Sequence, residues 1–422
     1  MRKRLTFRIP LVLVVVASML VGCAGQEAPA SEMEKGEIVI GIVEDLSGPV
    51  GGMGTPYAAG VTDCVRYINE EEAGVKGHSL RVVIVDNKMD STLAIAGWER
   101  IKSEGAPVDF SCFSGAASPV LQQLCDEDRI PLIAGAGSID QMFPKKKSFF
   151  FSVGPQLPGT IESMCQMVEK DLAKKGLSKS PKVGFDLISL GTTPQMQSKA
   201  AKLSSEKRGW EYLITRTSPQ PVDVTTQVLQ MKQFGCEYLY LMTTEAASVA
   251  WFKELGRQNF HPVIYGASGL SSDELWRATG DLCIGSSTNL FSVQWNETDI
   301  PLIQKLHELN AKWHPEITWR PSHYNKGFTD TIVIAETLRK IIEKNGYEGL
   351  NGESMQATME TMNYEPMGLG IPYIWTATDH QGIRGVKWYQ RTADGKLVPI
   401  SDWIVFEPLP EEQRMQSFWL SD

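Results

Sequence analysis

Catalytic and metal-binding signatures are what this sequence lacks. Its six histidines, His78, His261, His307, His314, His323 and His380, show no H-E-x-x-H or related spacing, so no helical zinc site is signalled. No G-x-S-x-G elbow occurs, which leaves an α/β-hydrolase nucleophile without its turn. The seven cysteines form no C-x-x-C pair, which argues against a zinc ribbon or a dithiol redox motif. No cofactor and no metal are expected. Positive charge is also scarce. The first 22 residues hold four of the 41 basic residues and none of the 50 acidic ones, so the remainder carries 37 against 50, a net charge near −13. That deficit argues against nucleic acid or an anionic surface as the electrostatic partner. Past the N-terminus there is no apolar run long enough to span a bilayer.

The N-terminus itself is distinctive. Arg2, Lys3, Arg4 and Arg8 precede an apolar stretch, and small residues lead into Leu20-Val21-Gly22-Cys23. A basic start, a short apolar run and small residues at a cleavage point make a secretory signal. The apolar segment 9–21 falls short of the roughly 20 residues of a spanning helix. A cysteine directly after the cleavage point resembles a bacterial lipobox, which implies acylation of the thiol and removal of the upstream peptide. The expectation is a signal peptide at 1–22, a lipidated tether at 23–35, and an extracytoplasmic, membrane-anchored protein. Residues 24–35 are rich in Ala, Glu, Pro and Ser, the composition of a flexible linker. Cys64, Cys112, Cys125, Cys165, Cys236 and Cys283 are scattered, mostly among apolar neighbours, and read as small core residues. Their pairing, in a compartment that permits disulfides, stays open.

From Glu37 onward, short β-branched runs alternate with helical spacing. Residues 38–43, 80–85, 108–113 and 130–134 read as strands, with helices expected at 56–72, 92–103 and 119–127. The pattern restarts, with strands at 182–187, 212–215, 238–242 and 262–265 and helices at 194–207, 222–234 and 246–255. Such alternation predicts α/β lobes, each a parallel sheet covered by helices, and the chain length suits two of them. Residues 301–344 read as mostly helical, followed by short strands after Pro366.

Ligands of open parallel sheets sit beyond the carboxyl ends of the strands. Several loops there are rich in small and hydroxyl residues: 45–54 with Ser47 and Met53, 114–118 with Ser114, Gly115 and Ala116, and 135–138 with Gly137 and Ser138. In the second unit the loops are 186–191 with Asp186 and Leu190, 243–245 with Thr244 and Glu245, and 267–269 with Ser268. Small residues let backbone N–H groups approach an anion, and the loop at Ser114 runs straight into a helix N-terminus. The first loop matches neither G-x-G-x-x-G nor a P-loop, so a nucleotide is not indicated. Ordinary turn chemistry accounts for such loops equally well.

The order of several motifs completes the reading. Ile40-Gly41-Ile42 is followed by Leu46-Ser47-Gly48-Pro49, Gly60, Tyr67-Ile68-Asn69, Gly74-Val75-Lys76-Gly77 and Val85-Asp86. Ile130-Pro131-Leu132-Ile133, Gly327-Phe328, Asp379-His380 and Gly395-Lys396-Leu397-Val398-Pro399 come later. Together they resemble the branched-chain amino-acid-type solute-binding proteins of ABC transporters. The resemblance implies an α/β type I periplasmic-binding fold, two Rossmann-like lobes joined by three crossovers and closing on a ligand. Crossovers are expected near 149–154, 286–291 and 368–375. Lobe I would be 36–151 with 287–370, and lobe II 152–286 with 371–422. It further implies a small-molecule ligand, an ABC permease as partner, and attachment to the membrane through the lipid. By the same resemblance, the loop from Ser114 through Gly115 and Ala116, and the pair Gly137-Ser138, would hold a ligand carboxylate through hydroxyls and N–H groups. Met53 and Leu190 stand where aromatics are expected, Thr244 near an expected tyrosine, and Ser268 where an acid would grip an α-ammonium. Asp186 and Glu245 are the nearby acids. A buried ammonium without a carboxylate costs several kcal/mol, so the expected ligand is a small carboxylate or other polar organic molecule without an α-amino group, ahead of an amino acid. A lipid-anchored sensor for a membrane signalling partner, and an extracytoplasmic enzyme, are the alternative readings.

Overall fold

The computed structural model describes residues 36–114, 118–189 and 193–421. Cys23, Gly115, Ala116 and Leu190 lie outside the described residues. The first sheet is built from β1 (Ile38–Glu44), β2 (Leu80–Asp86), β3 (Asp109–Ser111), β4 (Leu132–Ala134) and β5 (Phe150–Ser152). Its order is β2-β1-β3-β4-β5 and every pairing is parallel. All seven residues of β1 are buried, as a strand covered on both faces requires. Of the helices that follow these strands, α1 (Gly51–Glu71) packs on one face and α2 (Ser91–Ser103) and α3 (Ser118–Asp128) on the other, whereas the short α4 (Ile139–Met142) buries Ile139 and Met142 in the core of the second sheet.

The second sheet follows α5 (Leu157–Lys174). Its parallel strands are β6 (Lys182–Ile188), β7 (Glu211–Thr217), β8 (Tyr238–Met242), β9 (Val263–Gly266) and β10 (Ser287–Leu290). They are separated by α6 (Thr193–Arg208), α7 (Thr225–Phe234), α8 (Glu245–Arg257) and α9 (Asp273–Thr279). The chain then adds α10 (Pro301–Trp313), α11 (Ser322–Asn345), α12 (Gly352–Met359) and a small ribbon of β11 (Asn363–Tyr364) with β12 (Tyr373–Ile374). It returns to the second sheet as β13 (Gly385–Arg391), β14 (Leu397–Pro399) and β15 (Ile404–Val405), all antiparallel, and ends near α13 (Gln416–Leu420). No described helix is long and apolar enough to cross a membrane.

Burial corrects two expected boundaries. β10 pairs with β9 and β13, so residues 287–290 belong to the second sheet and not to lobe I. Ile371, Tyr373, Trp375 and Ile383 are buried in the first core together with Ile40, Val61 and Phe328. Tyr373 also donates its hydroxyl to Asp330 Oδ1 on α11 at 2.5 Å. The return to the second sheet therefore falls between Ile383 and β13, later than the expected 368–375.

A third correction concerns α1, which starts at Gly51 and not near Pro56. Asp45 is fully buried, and its carboxylate accepts from Gly48 N at 2.5 Å and Val50 N at 2.9 Å. This turn brings the chain into helix one and a half turns early. Gly54 permits it, because a Cβ there would lie 2.0 Å from Asp45 O.

Candidate functional site

The carboxyl-end loops of the first sheet form one rim. Ser47 lies on the β1–α1 connection, Met53 in the first turn of α1, Ser114 beyond β3, and Gly137 with Ser138 beyond β4. These strands are neighbours or next neighbours, so the fold brings the residues together. Thr244 and Glu245 beyond β8, and Ser268 beyond β9, form the matching rim of the second sheet. The two rims meet at Gly52 and Glu245: a Cβ on Gly52 would lie 3.6 Å from Glu245 Oε2.

Several hydroxyls on these rims already donate within the protein. Ser114 Oγ is buried, donates to Val43 O at 2.8 Å and accepts from Asn87 Nδ2 at 2.7 Å. Ser47 Oγ donates to Asp86 Oδ2 at 2.5 Å, and Ser138 Oγ to Asp140 Oδ1 at 2.5 Å. Ser138 also caps the start of α4, where its N–H meets Gln141 Oε1 at 2.6 Å. Thr244 caps α8, accepting from Ala247 N at 3.3 Å and donating to Pro219 O at 2.5 Å. These bonds tie Ser47, Ser114, Ser138 and Thr244 to neighbouring backbone and side chains. Gly137 is needed for packing, since a Cβ there would lie 2.7 Å from the Phe150 ring.

Asp186 does not join the rim. It is fully buried inside β6, with Thr215 Oγ1 donating to Oδ1 at 2.7 Å and Trp251 Nε1 to Oδ2 at 3.0 Å. Burial pushes its carboxyl up to about 6. Both oxygens are committed to the strand–helix interface, so the expected role of Asp186 as a ligand acid is corrected to a core role.

Buried acids also sit beneath the first rim. Glu44 ends β1 and accepts from Phe113 N, and burial raises its carboxyl well above the usual range. Asp109 behaves likewise, raised by burial against the hydrogen bond from Ser111 Oγ at 3.0 Å. Phe113 packs edge-on against Tyr57 and against His323 at the start of α11, with ring centroids 5.6 and 5.2 Å apart. His323 is buried, and desolvation pushes it down to about 4, so it is neutral near pH 7. Deeper, Lys326 and Asp330 form a buried ion pair. Asp330 accepts from Tyr57 Oη at 2.9 Å, and Lys326 lies 5.4 Å from the Phe291 ring centroid. Among the described residues no group of three His, Cys, Asp or Glu side chains converges on a point where a metal would sit.

Trp313, Trp319 and Tyr324 form an aromatic-rich stretch that reads in the sequence as ligand contact or as core or lobe-surface packing, and nothing in it signals the pairing that Trp319 makes. Trp319, half-buried against the first core, donates Nε1–H to Asp273 Oδ2 on α9 at 3.0 Å. Its neighbours in sequence went elsewhere: Tyr324 is buried and donates to Asp63 Oδ2 at 2.8 Å, and Trp313 lies under Arg66, 4.5 Å from the ring centroid. An aromatic-rich stretch is visible in the sequence, but no local signal separates the one ring that reaches across. His78, in a Gly-His-Ser turn, and His314, before a proline, read in the sequence as exposed loop residues but are engaged in the structure. His78 stacks on Tyr347 at 4.2 Å, and His314 Nε2 lies 3.0 Å from Asp63 Oδ2.

Known proteins share this arrangement. Residues 37–396 match the periplasmic binding protein family. The Leu/Ile/Val-binding protein homolog 3 of Brucella melitensis biotype 1 is 23% identical over 277 residues, 65% of this chain and 73% of the relative. A fatty acid ABC transporter substrate-binding protein from Thermomonospora curvata superposes with a TM-score of 0.75 at 19% identity, covering 89% of this chain and 94% of the other. A branched-chain amino acid ABC transporter protein from Thermus thermophilus with bound valine gives 0.74 at 19% identity, covering 88% and 97%. With two α/β units facing each other through their strand ends, this chain belongs to the periplasmic binding protein family, in its type I fold.

Proposed function

We propose that this chain traps a small organic solute between its two rims and delivers it to an ABC permease. It works outside the cytoplasm, held to a membrane by lipid on Cys23. The trap is a hinge: binding energy favours the closed arrangement, and the permease reads that arrangement. Family membership over residues 37–396 supports the transport role.

The ligand we favour is a small carboxylate with an apolar body and no α-amino group. One observation carries this: Asp186 is spent inside the core, both oxygens bonded, while Ser268 stands where the family resemblance places the acid for an α-ammonium. Met53, half-buried on the first rim, offers apolar contact. With the hydroxyls of Ser47, Ser114 and Ser138 donating within the protein, a carboxylate is left to backbone N–H groups of the loops at Ser114 and Gly137. The neighbour described as a fatty acid binding protein carries a ligand class of this kind on the same fold. Glu245 is the acid that remains at the rim.

A thermal-shift screen tests the assignment. At a hundredfold excess over Kd a specific ligand adds about 2.7 kcal/mol of stability. Amine-free organic acids from acetate to octanoate and aromatic acids are expected to include stabilisers, with leucine and valine inert. Stabilisation by leucine or valine, with none by any acid of the panel, would overturn the ligand class while leaving the transport role intact.

A further inference from the structure

Apart from the chain crossings, Trp319 and Asp273 make a direct bond between the two units. Trp319 lies on the segment between α10 and α11 and packs on the first core. Asp273 opens α9, whose Leu275 is buried in the core of the second sheet. The indole N–H and the carboxylate Oδ2 are 3.0 Å apart. An indole nitrogen can only donate and an ionised carboxylate can only accept, so the pair has one bonding sense. A charged acceptor makes it stronger than a neutral pair. Glu245, also from the second unit, reaches Gly52 at the start of α1.

We propose that Trp319 and Asp273 form a closure latch: a protein-to-protein bond made only when the two units come together, which holds part of the population closed independently of ligand. This rests on the hinge reading above. Apparent affinity scales with the fraction of binding-competent molecules. A latch therefore raises affinity for every ligand alike and leaves selectivity unchanged. Trp319 and Asp273 are positioning residues here, since neither is assigned to the ligand.

The test measures the separation of the units without any ligand. Nitroxides are placed on the exposed positions Glu99 of α2 and Gln230 of α7, through Glu99→Cys and Gln230→Cys in the full chain. Pulsed electron–electron resonance then gives the distance distribution. Trp319→Phe keeps the ring and removes the donor. Asp273→Ala removes the acceptor, and Asp273→Asn retains an oxygen. The first two are expected to move the population toward longer distances, roughly three- to tenfold in the closed-to-open ratio, for a half-exposed bond to a charged group. Asp273→Asn, which keeps an acceptor oxygen without the charge, is expected to fall between wild type and Asp273→Ala. Distributions identical in wild type, Trp319→Phe and Asp273→Ala, but broadened by Phe291→Gly at a crossing, would overturn the latch and keep the hinge. One narrow distance in every protein, Phe291→Gly included, would overturn both.

Discussion

Two buried titratable residues set opposite slopes on the stability of this protein with pH. Asp186 is pushed up to about 6 by burial, against hydrogen bonds from Thr215, Thr217 and Trp251. An unfolded aspartate titrates near 3.9, so between about pH 4 and 6 the native state holds more protons than the unfolded chain. Its contribution is complete below that window and is lost as pH rises through it. His323 is pushed down to about 4 by desolvation, below the unfolded value near 6.5. Here the unfolded chain binds more protons, so its contribution is complete above about 6.5 and is lost as pH falls toward 4. At 1.36 kcal/mol per unit, each amounts to roughly 3 kcal/mol, and they oppose one another across pH 4 to 6. Asp186→Asn is expected to steepen the loss of stability on acidification relative to wild type, and His323→Gln to flatten it. Urea midpoints at pH 4.5, 5.5 and 6.5 decide this; profiles parallel to wild type would contradict it. Both residues were visible in the sequence as ionisable groups, but only burial says which way each titrates. Asp186 shows the cost of missing that: its place at a strand end looked like a site, and the side chain faces the α8 interface instead.

At the scale of elements, the crossing of α1 and α11 anchors the first unit. Gly60 and Gly327 face each other there in reciprocal fashion. A Cβ on Gly60 would lie 2.1 Å from Tyr324 O, and one on Gly327 would lie 2.1 Å from Tyr57 O. The two helices can approach this closely only because both positions lack side chains. Mid-helix Gly→Ala ordinarily stabilises by about 1 kcal/mol through propensity. At Gly327 the opposite sign is expected: Gly327→Ala destabilises by roughly 1–3 kcal/mol, the range for over-packing, read from a urea melt. A rise in stability would refute the close crossing. Both glycines were legible as part of a family pattern, and the strands and most helices were legible from their periodicity. The early start of α1 was not, because it depends on the buried Asp45 carboxylate folding the preceding loop. Composition reads Ser47 to Thr55 as loop, whereas the Asp45 carboxylate, bonded to Gly48 N and Val50 N only three and five residues ahead, turns half of it into helix, a short-range signal that the Gly and Pro content masks.

For the whole molecule, the proposed anchoring and the proposed trapping are separable. If Cys23 carries lipid, Cys23→Ala is expected to release the protein from the membrane fraction and abolish palmitate incorporation. Thermal shifts with the stabilising ligand would stay unchanged. Retention of the variant in the membrane fraction would count against the lipid anchor. The proposal of an anchor rests on the N-terminal sequence, and the class of fold on alternating strand and helix patterns with ordered motifs over the rest. These follow from local chemistry: hydrophobic periodicity, turn residues and a cleavage signal act over a few residues and can be read without coordinates. Where the chain changes sheets, which acids stay at the rim, and which tryptophan crosses between units are settled only in three dimensions. Trp375 and Tyr373 are buried in the first core although they lie just ahead of the strands of the second sheet. Asp186 is removed from the rim by Trp251, 65 residues away. Trp319 meets Asp273 across 46 residues. Each is a pairing of groups far apart in the chain, and burial and hydrogen-bond completion, which choose among such pairings, exist only once the chain has folded.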